Sequence, residues 1–351
     1  MTLEVQRNRL LAPLTTLWLG GPAKYFVEAY DRRTLVEALA WAQQRRERLA
    51  ILGGGSNLVI RDAGFDGLVV RMATQGLGFE RDGDEVVATV EAGVRWQDVV
   101  DGALEYDLAG IECLTGIPGS AGATPIQNVG AYGQEIGDVL ESVDVLERAT
   151  GKTFRLTREQ CQFGYRTSRF KRDPGRFIVL ALRLRLRPQG APCLRYRQVS
   201  ELFPGESSPS LRDVERGVHQ LRAAKSMLVG GSDENRYSAG SFFTNPVVSY
   251  DDAWRVAELS VERGFLSRPE ELPRFFAEGG GVKLAAGWLI EQAGISRGTR
   301  HGGVGISTKH ALCLVHYGGG SSQELLALAS QIRTTVWETF GVELTIEPVV
   351  W

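Results

Sequence analysis

Leu49-Ala50-Ile51-Leu52-Gly53-Gly54-Gly55-Ser56-Asn57-Leu58-Val59-Ile60 sets three consecutive glycines and two polar residues between short apolar runs. The apolar runs read as buried strand, and the glycines break it. Consecutive glycines remove the side-chain barrier around the backbone, so several N–H groups can turn toward one anion, and Ser56 and Asn57 add side-chain donors. The segment reads equally as a pyrophosphate cradle or as a tight turn between strands. Upstream, Lys24–Tyr30 has the pattern of a strand and Thr34–Glu47 that of an amphipathic helix, so the opening of the chain is a small α/β unit.

From about Asp66 onward the signal changes to short β-branched runs at Gly67–Met72, Glu85–Val94, Ser142–Thr157 and Phe177–Pro188, which predict a mixed sheet with few helices. One helix, Trp96–Leu108, precedes a second glycine-rich loop, Glu112–Gly133. Its glycines at 116, 119, 122, 130 and 133 permit close backbone approach. Ser120, Thr124, Gln127 and Asn128 offer hydrogen bonds, and Tyr132 offers an aromatic face. The loop suits phosphate binding, with an uncommitted surface loop as the alternative. Residues 190–209 are rich in Pro, Gly and Ser and mark an excursion or boundary. Beyond it the pattern predicts helices over Asp213–Leu228, Val282–Gly294 and Gln323–Phe340, and strands over His310–Tyr317 and Val342–Val350.

Composition narrows the function classes. The 351 residues exceed one ordinary core, and 43% hydrophobic with 23% charged residues is globular usage. A net charge of -2, from 40 basic and 42 acidic side chains, gives no broad positive field for nucleic acid. Cys113, Cys161, Cys193 and Cys313 form no zinc spacing, and with no convincing signal peptide and no long apolar run the expectation is a cytoplasmic protein without a membrane span or a metal. No G-x-G-x-x-G occurs, so a Rossmann dinucleotide fingerprint is absent. Gly151-Lys152-Thr153 fails as a Walker loop because Leu146 stands where the leading glycine belongs, and it reads as a hairpin turn. No serine-hydrolase elbow surrounds Ser120 or Ser241. By themselves Ser241 reads as a turn or cap serine, and Arg166 and Glu347 as surface charges.

Six segments change that reading: LGGGSNLVI at 52–60, GIPGSAGATPIQNVGAYG at 116–133, CQFGYRTSRFK at 161–171, SAGSFFTNP at 238–246, KLAAGWLIEQAG at 283–294 and LTIEP at 344–348. In this order they resemble the UDP-N-acetylenolpyruvoylglucosamine reductase family, and the excursion around Tyr196 is similar to that of its longer, type I form. The resemblance implies an α+β fold: a two-subdomain FAD-binding fold of the vanillyl-alcohol oxidase type plus a C-terminal substrate-binding α+β domain. The expected divisions are 1–70, joined by the C-terminal strand at about 340–351, then 71–218, then 219–339.

The resemblance also implies the chemistry and its residues. NADPH reduces FAD, and the flavin then reduces a UDP-sugar carrying an enolpyruvyl group. FAD is expected on Gly53, Gly54, Gly55, Ser56 and Asn57, and on Gly116, Ile117, Gly119, Ser120, Gly122, Ala123 and Thr124. Arg166 matches the residue that stabilises an enolate, and Ser241 matches a proton donor. Glu347 matches a third catalytic residue, orienting the donor or polarising the substrate carboxylate. Tyr132, Tyr165, Tyr196, Lys225, Asn245 and Lys283 match substrate contacts, and a monomer is expected. Ser226-Met227 depart from members that carry proline there, and His316-Tyr317 from members with asparagine. The rival readings are another FAD oxidase of the same fold and a non-catalytic nucleotide-binding protein.

Overall fold

The computed structural model describes residues 3–205, 208–230, 232–277 and 280–351. Contacts group them into two compact units. One holds the residues up to Leu10, Pro22–Gly55 and Phe65–Leu228; the other holds Leu11–Gly21, Ser56–Gly64 and Val229–Trp351.

The first unit carries two sheets. Strands β1 (Gln6–Leu10), β2 (Pro22–Ala29), β3 (Leu49–Leu52) and β5 (Phe65–Met72) form a four-stranded sheet in the order β1-β2-β5-β3; β4 (Leu58–Val59) belongs to the second unit. Both β2 and β3 pair with β5 in parallel, as the intervening helix α1 (Arg32–Arg45) requires. Asp31 caps α1 by accepting the Thr34 N–H at 2.7 Å. Leu35, Ala38 and Ala42 form its buried stripe. The central strand β5 is a near-continuous buried run, Leu68-Val69-Val70, because it is covered from both sides.

The second sheet runs β12-β11-β13-β7-β6, with β6 (Leu77–Asp82), β7 (Glu85–Glu91), β11 (Leu140–Glu147), β12 (Thr153–Thr157) and β13 (Phe177–Pro188). Strand β8 (Leu108–Ala109) also pairs with β13. Every pairing in this sheet is antiparallel, where the sequence predicted a mixed sheet. Short turns explain it: Gly83 and Gly151, both at positive φ, sit in the β6–β7 and β11–β12 hairpins, and a hairpin joins only antiparallel neighbours. Helix α2 (Trp96–Glu105) buries Trp96, Val99, Val100, Ala103 and Leu104. The fully buried indole of Trp96 donates to the Leu114 carbonyl at 3.0 Å, which fixes the entry to the second glycine-rich loop. Within that loop β9 (Gly130–Ala131) and β10 (Gln134–Glu135) make a small hairpin, followed by α3 (Ile136–Val139). Two further single-turn helices, α4 (Arg158–Cys161) and α5 (Arg169–Arg172), flank the turn that carries Arg166.

The excursion at 190–209 contains the single turn α6 (Arg197–Ser200); Glu206 and Ser207 lie outside the described residues. Helix α7 (Leu211–Ala224) then ends the first unit, burying Val214 and Val218 beside Cys113, Tyr132 and Val199. Residue 219, expected to begin a third domain, lies inside α7, whose buried face packs in the first unit.

The second unit is built on α10 (Ser322–Phe340), which starts at a capping box of Ser321 and Glu324 and ends at Gly341 with φ 66°. Leu325, Leu328, Ala329, Ile332, Val336 and Phe340 give it a continuous buried face. Around it stand α8 (Tyr250–Glu262), α9 (Ala286–Gln292) and two three-stranded sheets. The first sheet is β14 (Val247–Val248), β16 (Val282–Leu284) and β15 (Arg274–Phe276); the second is β17 (Arg300–His301), β18 (Val304–Ile306) and β19 (Leu314–His316). The helix expected from Val282 begins four residues later, because Val282 and Leu284 alternate inward and pair with strands on both sides. The strand expected over His310–Tyr317 narrows to Leu314–His316, and that over Val342–Val350 to β20 (Val349–Val350), parallel to β4. Among the described residues no helix is long and apolar enough to cross a membrane.

His316 holds the detached segment Leu11–Gly21 onto this unit. Its Nδ1 lies 3.2 Å from the Leu17 carbonyl, and its Nε2 accepts the Gly320 N–H at 3.2 Å, so the ring is the neutral Nδ1-protonated tautomer. Burial holds its pKa below the ordinary value, against the Leu17 carbonyl and Glu324, which favour the cation. A depressed histidine binds fewer protons folded than unfolded, so its contribution to stability is complete above about pH 6.5 and is lost as pH falls toward the folded value. Urea unfolding should show a midpoint that declines with acidification from about pH 7, and His316→Gln should be less stable at neutral pH and lack that part of the decline. An unchanged slope in the variant would remove His316 from the account.

Candidate active site

In the first unit the two glycine-rich loops meet backbone to backbone. A Cβ on Gly54 would stand 2.5 Å from the Gly119 Cα, and one on Gly53 would stand 2.6 Å from the Ser120 Oγ. Gly55 and Gly119 take φ of 62° and 124°, which side chains resist. The second loop is itself laid along the chain that follows β7. Trp96 donates to the Gly119 carbonyl at 3.0 Å, Ala121 donates to Val94 at 2.8 Å, and Gly122 donates to Ala92 at 2.9 Å. A Cβ on Gly122 would stand 2.5 Å from that of Ala92. The result is a close contact of two glycine-rich stretches of main chain with the Ser120 hydroxyl beside it, which fits a diphosphate approaching the backbone.

Accounting for amides refines the expected contributors. The Gly116 N–H is taken by Gln97 Oε1 at 2.6 Å, Gly122 by Ala92, and Ala123 by the Ser120 carbonyl at 3.0 Å. These residues supply shape and close approach, not backbone donors. Thr124 is buried and its hydroxyl donates to Ala121 at 2.7 Å, so it too is structural in its hydrogen bonding. Ile117 packs partly buried against the main core of the unit.

The far end of the loop carries the expected arginine and tyrosines. Arg166 occupies a tight turn closed by reciprocal Gly164–Thr167 hydrogen bonds of 3.1 Å, at φ 51°. Its Nη2 donates to the Gly130 carbonyl at 2.7 Å, its own carbonyl accepts Lys171 Nζ at 3.1 Å, and its guanidinium carbon lies 5.7 Å from the Tyr165 ring centre. Ser168 ties the same turn to the loop by donating to Ile126 at 2.6 Å. Buried Asn128 bridges the two, donating to the Gly164 carbonyl at 3.3 Å and accepting the Gly137 N–H at 2.9 Å. Tyr132 meets Tyr196 edge to face with ring centres 5.3 Å apart, and Lys225 Nζ lies 5.1 Å from the Tyr132 ring centre. Burial raises the pKa of both phenols, so they are neutral donors at physiological pH. Gln198 Oε1 accepts from Lys225 Nζ at 2.7 Å and fixes its reach. The geometry thus gathers Tyr132, Tyr196 and Lys225, and separately Tyr165 and Arg166, along one loop.

The second unit gathers the remaining predicted residues. Asn57, just past the glycines, donates from Nδ2 to the Glu347 carbonyl at 3.4 Å, and its own carbonyl accepts the Val349 N–H at 3.0 Å. The Glu347 N–H donates to the Phe242 carbonyl at 2.9 Å, and Thr244 donates to Thr345 at 3.0 Å. Residues 57, 241–244 and 345–349 are therefore one hydrogen-bonded patch. Ser241 follows Gly240 at φ 70° and is half-buried. Among the described residues its hydroxyl has no hydrogen-bond partner, so it is not serving as a cap. Asn245 Oδ1 accepts the Ala286 N–H at 3.0 Å, which turns its amide nitrogen into the donor end. Lys283 lies on β16 between Val247 and Phe275.

Reading by residue type missed Gln97, Gln198 and the buried Glu112. None has a motif around it, and only contacts identify them. The glycine contact gives a direct test: Gly54→Ala should cost about 1–3 kcal/mol in chemical denaturation and weaken FAD binding at least about tenfold by fluorescence titration. Gly78→Ala, whose Cβ meets nothing within 4 Å, should change neither. Normal flavin affinity in Gly54→Ala would rule out the loop contact as a flavin determinant.

Known proteins match along the whole chain. Residues 23–157 match the FAD binding domain family, and residues 233–351 match the C-terminal domain of UDP-N-acetylenolpyruvoylglucosamine reductase. The UDP-N-acetylenolpyruvoylglucosamine reductase of Streptomyces coelicolor is 43% identical over 344 residues, covering 97% of this chain and 88% of that protein. That of Thermobifida fusca is 41% identical over 357 residues, covering 100% and 99%. The crystal structure of the enzyme from Thermus caldophilus superposes with a TM-score of 0.66 at 26% identity, covering 100% of this chain and 99% of that one. Identity at this level over whole chains, on a fold that carries the two glycine-rich loops, establishes that the chain belongs to the UDP-N-acetylenolpyruvoylglucosamine reductase family.

Proposed function

We propose that the protein uses NADPH and FAD to reduce UDP-N-acetylglucosamine enolpyruvate to UDP-N-acetylmuramate, a peptidoglycan precursor, with Arg166, Ser241 and Glu347 as its catalytic residues. The observation that carries the reading is the hydrogen-bonded patch of Asn57, Phe242 and Glu347, which joins the first glycine-rich loop to the two segments bearing a proton donor and a carboxylate. Gly53–Asn57 and Gly116–Thr124 would hold FAD, whose dihydro form supplies hydride to the terminal carbon of the enolpyruvyl alkene.

The chain's own residues answer the charge and the proton. Hydride addition leaves carbanion character beside the substrate carboxylate, a planar anion that a guanidinium suits. Arg166, anchored on the Gly130 carbonyl, is assigned that stabilisation. Ser241 delivers a proton to the adjacent carbon, and an uncommitted hydroxyl supports that role. Glu347, one backbone bond away from Phe242, orients the donor. Tyr132, Tyr165, Tyr196, Lys225, Asn245 and Lys283 are assigned to the sugar nucleotide. The neutral phenols and the Asn245 amide act as hydrogen-bond donors and Lys225 as diphosphate cation.

The proposal extends to organisation. Separate sheets within 1–70 and 71–218 support two FAD subdomains, and β20 on β4 supports joining the chain's end to the first of them. A substrate-binding part over 219–339 would then take α7's end and most of the second unit. We assign the protein to the cytoplasm as a monomer; four cysteines with no disulfide support the compartment.

The purified protein should be yellow, with about one flavin per chain, and should oxidise NADPH in step with the enolpyruvyl sugar nucleotide, giving a product heavier by two hydrogens. Oxidation of an alcohol or sugar, with the enolpyruvyl compound untouched, would transfer the protein to the oxidase reading. Ser241→Ala should keep flavin reduction by NADPH near normal and slow flavin reoxidation by the sugar nucleotide at least about 10³-fold, or about 4 kcal/mol of barrier. Stopped-flow absorbance separates the two halves. Equal slowing of both would point to a displaced flavin, and normal reoxidation would return Ser241 to a turn residue.

A further inference from the structure

Four thiols are present, and their surroundings divide them. Cys161 is buried, which pushes its thiol up to about 12, and Cys313 is buried as well. Cys193 is half-buried and lines a groove of the first unit together with Gln134, Asp138, Arg158, Ala191 and Arg195. Arg195 Nε donates to the Cys193 sulfur at 3.5 Å, and the Gly133 carbonyl lies 3.6 Å from it. Cys113 points at the same place: its Sγ donates to the Cys193 carbonyl at 3.4 Å.

Both backbones are pinned. Buried Glu112 accepts the Cys193 N–H at 2.7 Å on one oxygen and the Gly110 N–H at 2.8 Å on the other, while Gln134 Oε1 accepts the Cys113 N–H at 2.7 Å. The two cysteines are therefore held against each other, Cys193 lining a groove and facing a guanidinium, and buried Cys113 reaching its backbone from behind. We propose that Cys193 is a site of reversible oxidation, where a peroxide forms a sulfenic acid that Cys113 resolves to an intramolecular disulfide.

The electrostatics agree. The neighbouring Cys113 thiol and then the Arg195 guanidinium lower the Cys193 pKa, whereas that of Cys113, beside that thiolate and buried, is raised. The Cys193 thiolate attacks one oxygen of hydrogen peroxide, the O–O bond breaks, and the leaving hydroxide takes a proton to become water; sulfur is oxidised and peroxide reduced. The Cys113 sulfur then attacks the Cys193 sulfur. Its proton leaves with the hydroxyl as a second water, and the S–S bond forms. That bond fastens the segment leading into Tyr196 to the segment leading into Gly116.

Full-chain protein treated with hydrogen peroxide, then alkylated with iodoacetamide and digested, should yield the Cys113–Cys193 linked peptide, with Cys161 and Cys313 still free thiols, and dithiothreitol should reverse it. In Cys113→Ser, dimedone should label Cys193; in Cys193→Ser, Cys113 should stay reduced. Alkylation of Cys193 between about pH 8 and about pH 6 should fall far less than the roughly 80-fold expected of an ordinary thiol of pKa ~8.5. Absence of the linked peptide, or dimedone labelling of Cys161 or Cys313 ahead of Cys193, would overturn the proposal. These readouts use no substrate turnover and stand apart from the reductase assay.

Discussion

Gly54 and Gly119 touch at a distance that admits no side chain, and what the first unit offers a diphosphate depends on that contact. One glycine ends a parallel strand of the first sheet; the other belongs to a loop laid against residues 92–96 that follow a strand of the second sheet. Bringing two backbones so close leaves polar main chain in need of partners. The loop meets the need by behaving as a short strand toward Ala92, Val94 and Trp96, and by giving its Gly116 amide to Gln97. Trp96 serves twice, through its main chain on Gly119 and its indole on Leu114. The packing of one buried helix thus sets the height of the loop.

A comparable economy holds in the second unit, where Asn57, just past the glycines, becomes a splice for the chain's last residues. Val349 and Val350 lie in parallel register with Leu58 and Val59. Trp351 donates to Val59, and Arg61 donates to Trp351. Each such bond is worth about 0.5–1.5 kcal/mol net, so a strand of two residues is held chiefly by its continuation on either side. The continuation upstream is Thr345–Glu347 against Phe242–Thr244. A carboxylate near the end of the sequence is positioned by residues near its beginning and middle, which no local pattern could convey.

What was legible in the sequence follows from which signals are local. The parallel β2–α1–β3 unit, the hairpin at Gly151 and the long helix to Phe340 each carry their own periodicity and their own cap or turn residue, and they appear where those residues put them. Val282-Lys283-Leu284 was misread because an apolar–polar–apolar triplet fits the start of a helix as well as a strand, and neighbours on both sides decided it. The antiparallel order of the second sheet is a property of its connections. In the site, the glycines were legible because absence of a side chain is itself the signal. Gln97, Glu112 and Gln198 were not: each is defined by the group it satisfies, the Gly116 N–H, the Cys193 N–H and the Lys225 ammonium in turn, and these come from other segments of the chain.

Arg166 carries a local conflict between side chain and backbone. Its φ of 51° belongs to a region that glycine or asparagine enters at little cost and other residues at about 1–3 kcal/mol. Asn128, on the same loop system at φ 50°, is the residue type that conformation favours, and its side chain is spent on Gly164 and Gly137. At 166 the chain keeps a long cationic side chain where glycine would relax the turn. The surroundings over-determine the strained form: Gly164 and Thr167 close the turn, Lys171 holds the Arg166 carbonyl, and Gly130 receives its guanidinium. Strain tolerated for the sake of a side chain's position agrees with the role toward an anionic substrate that we propose for Arg166.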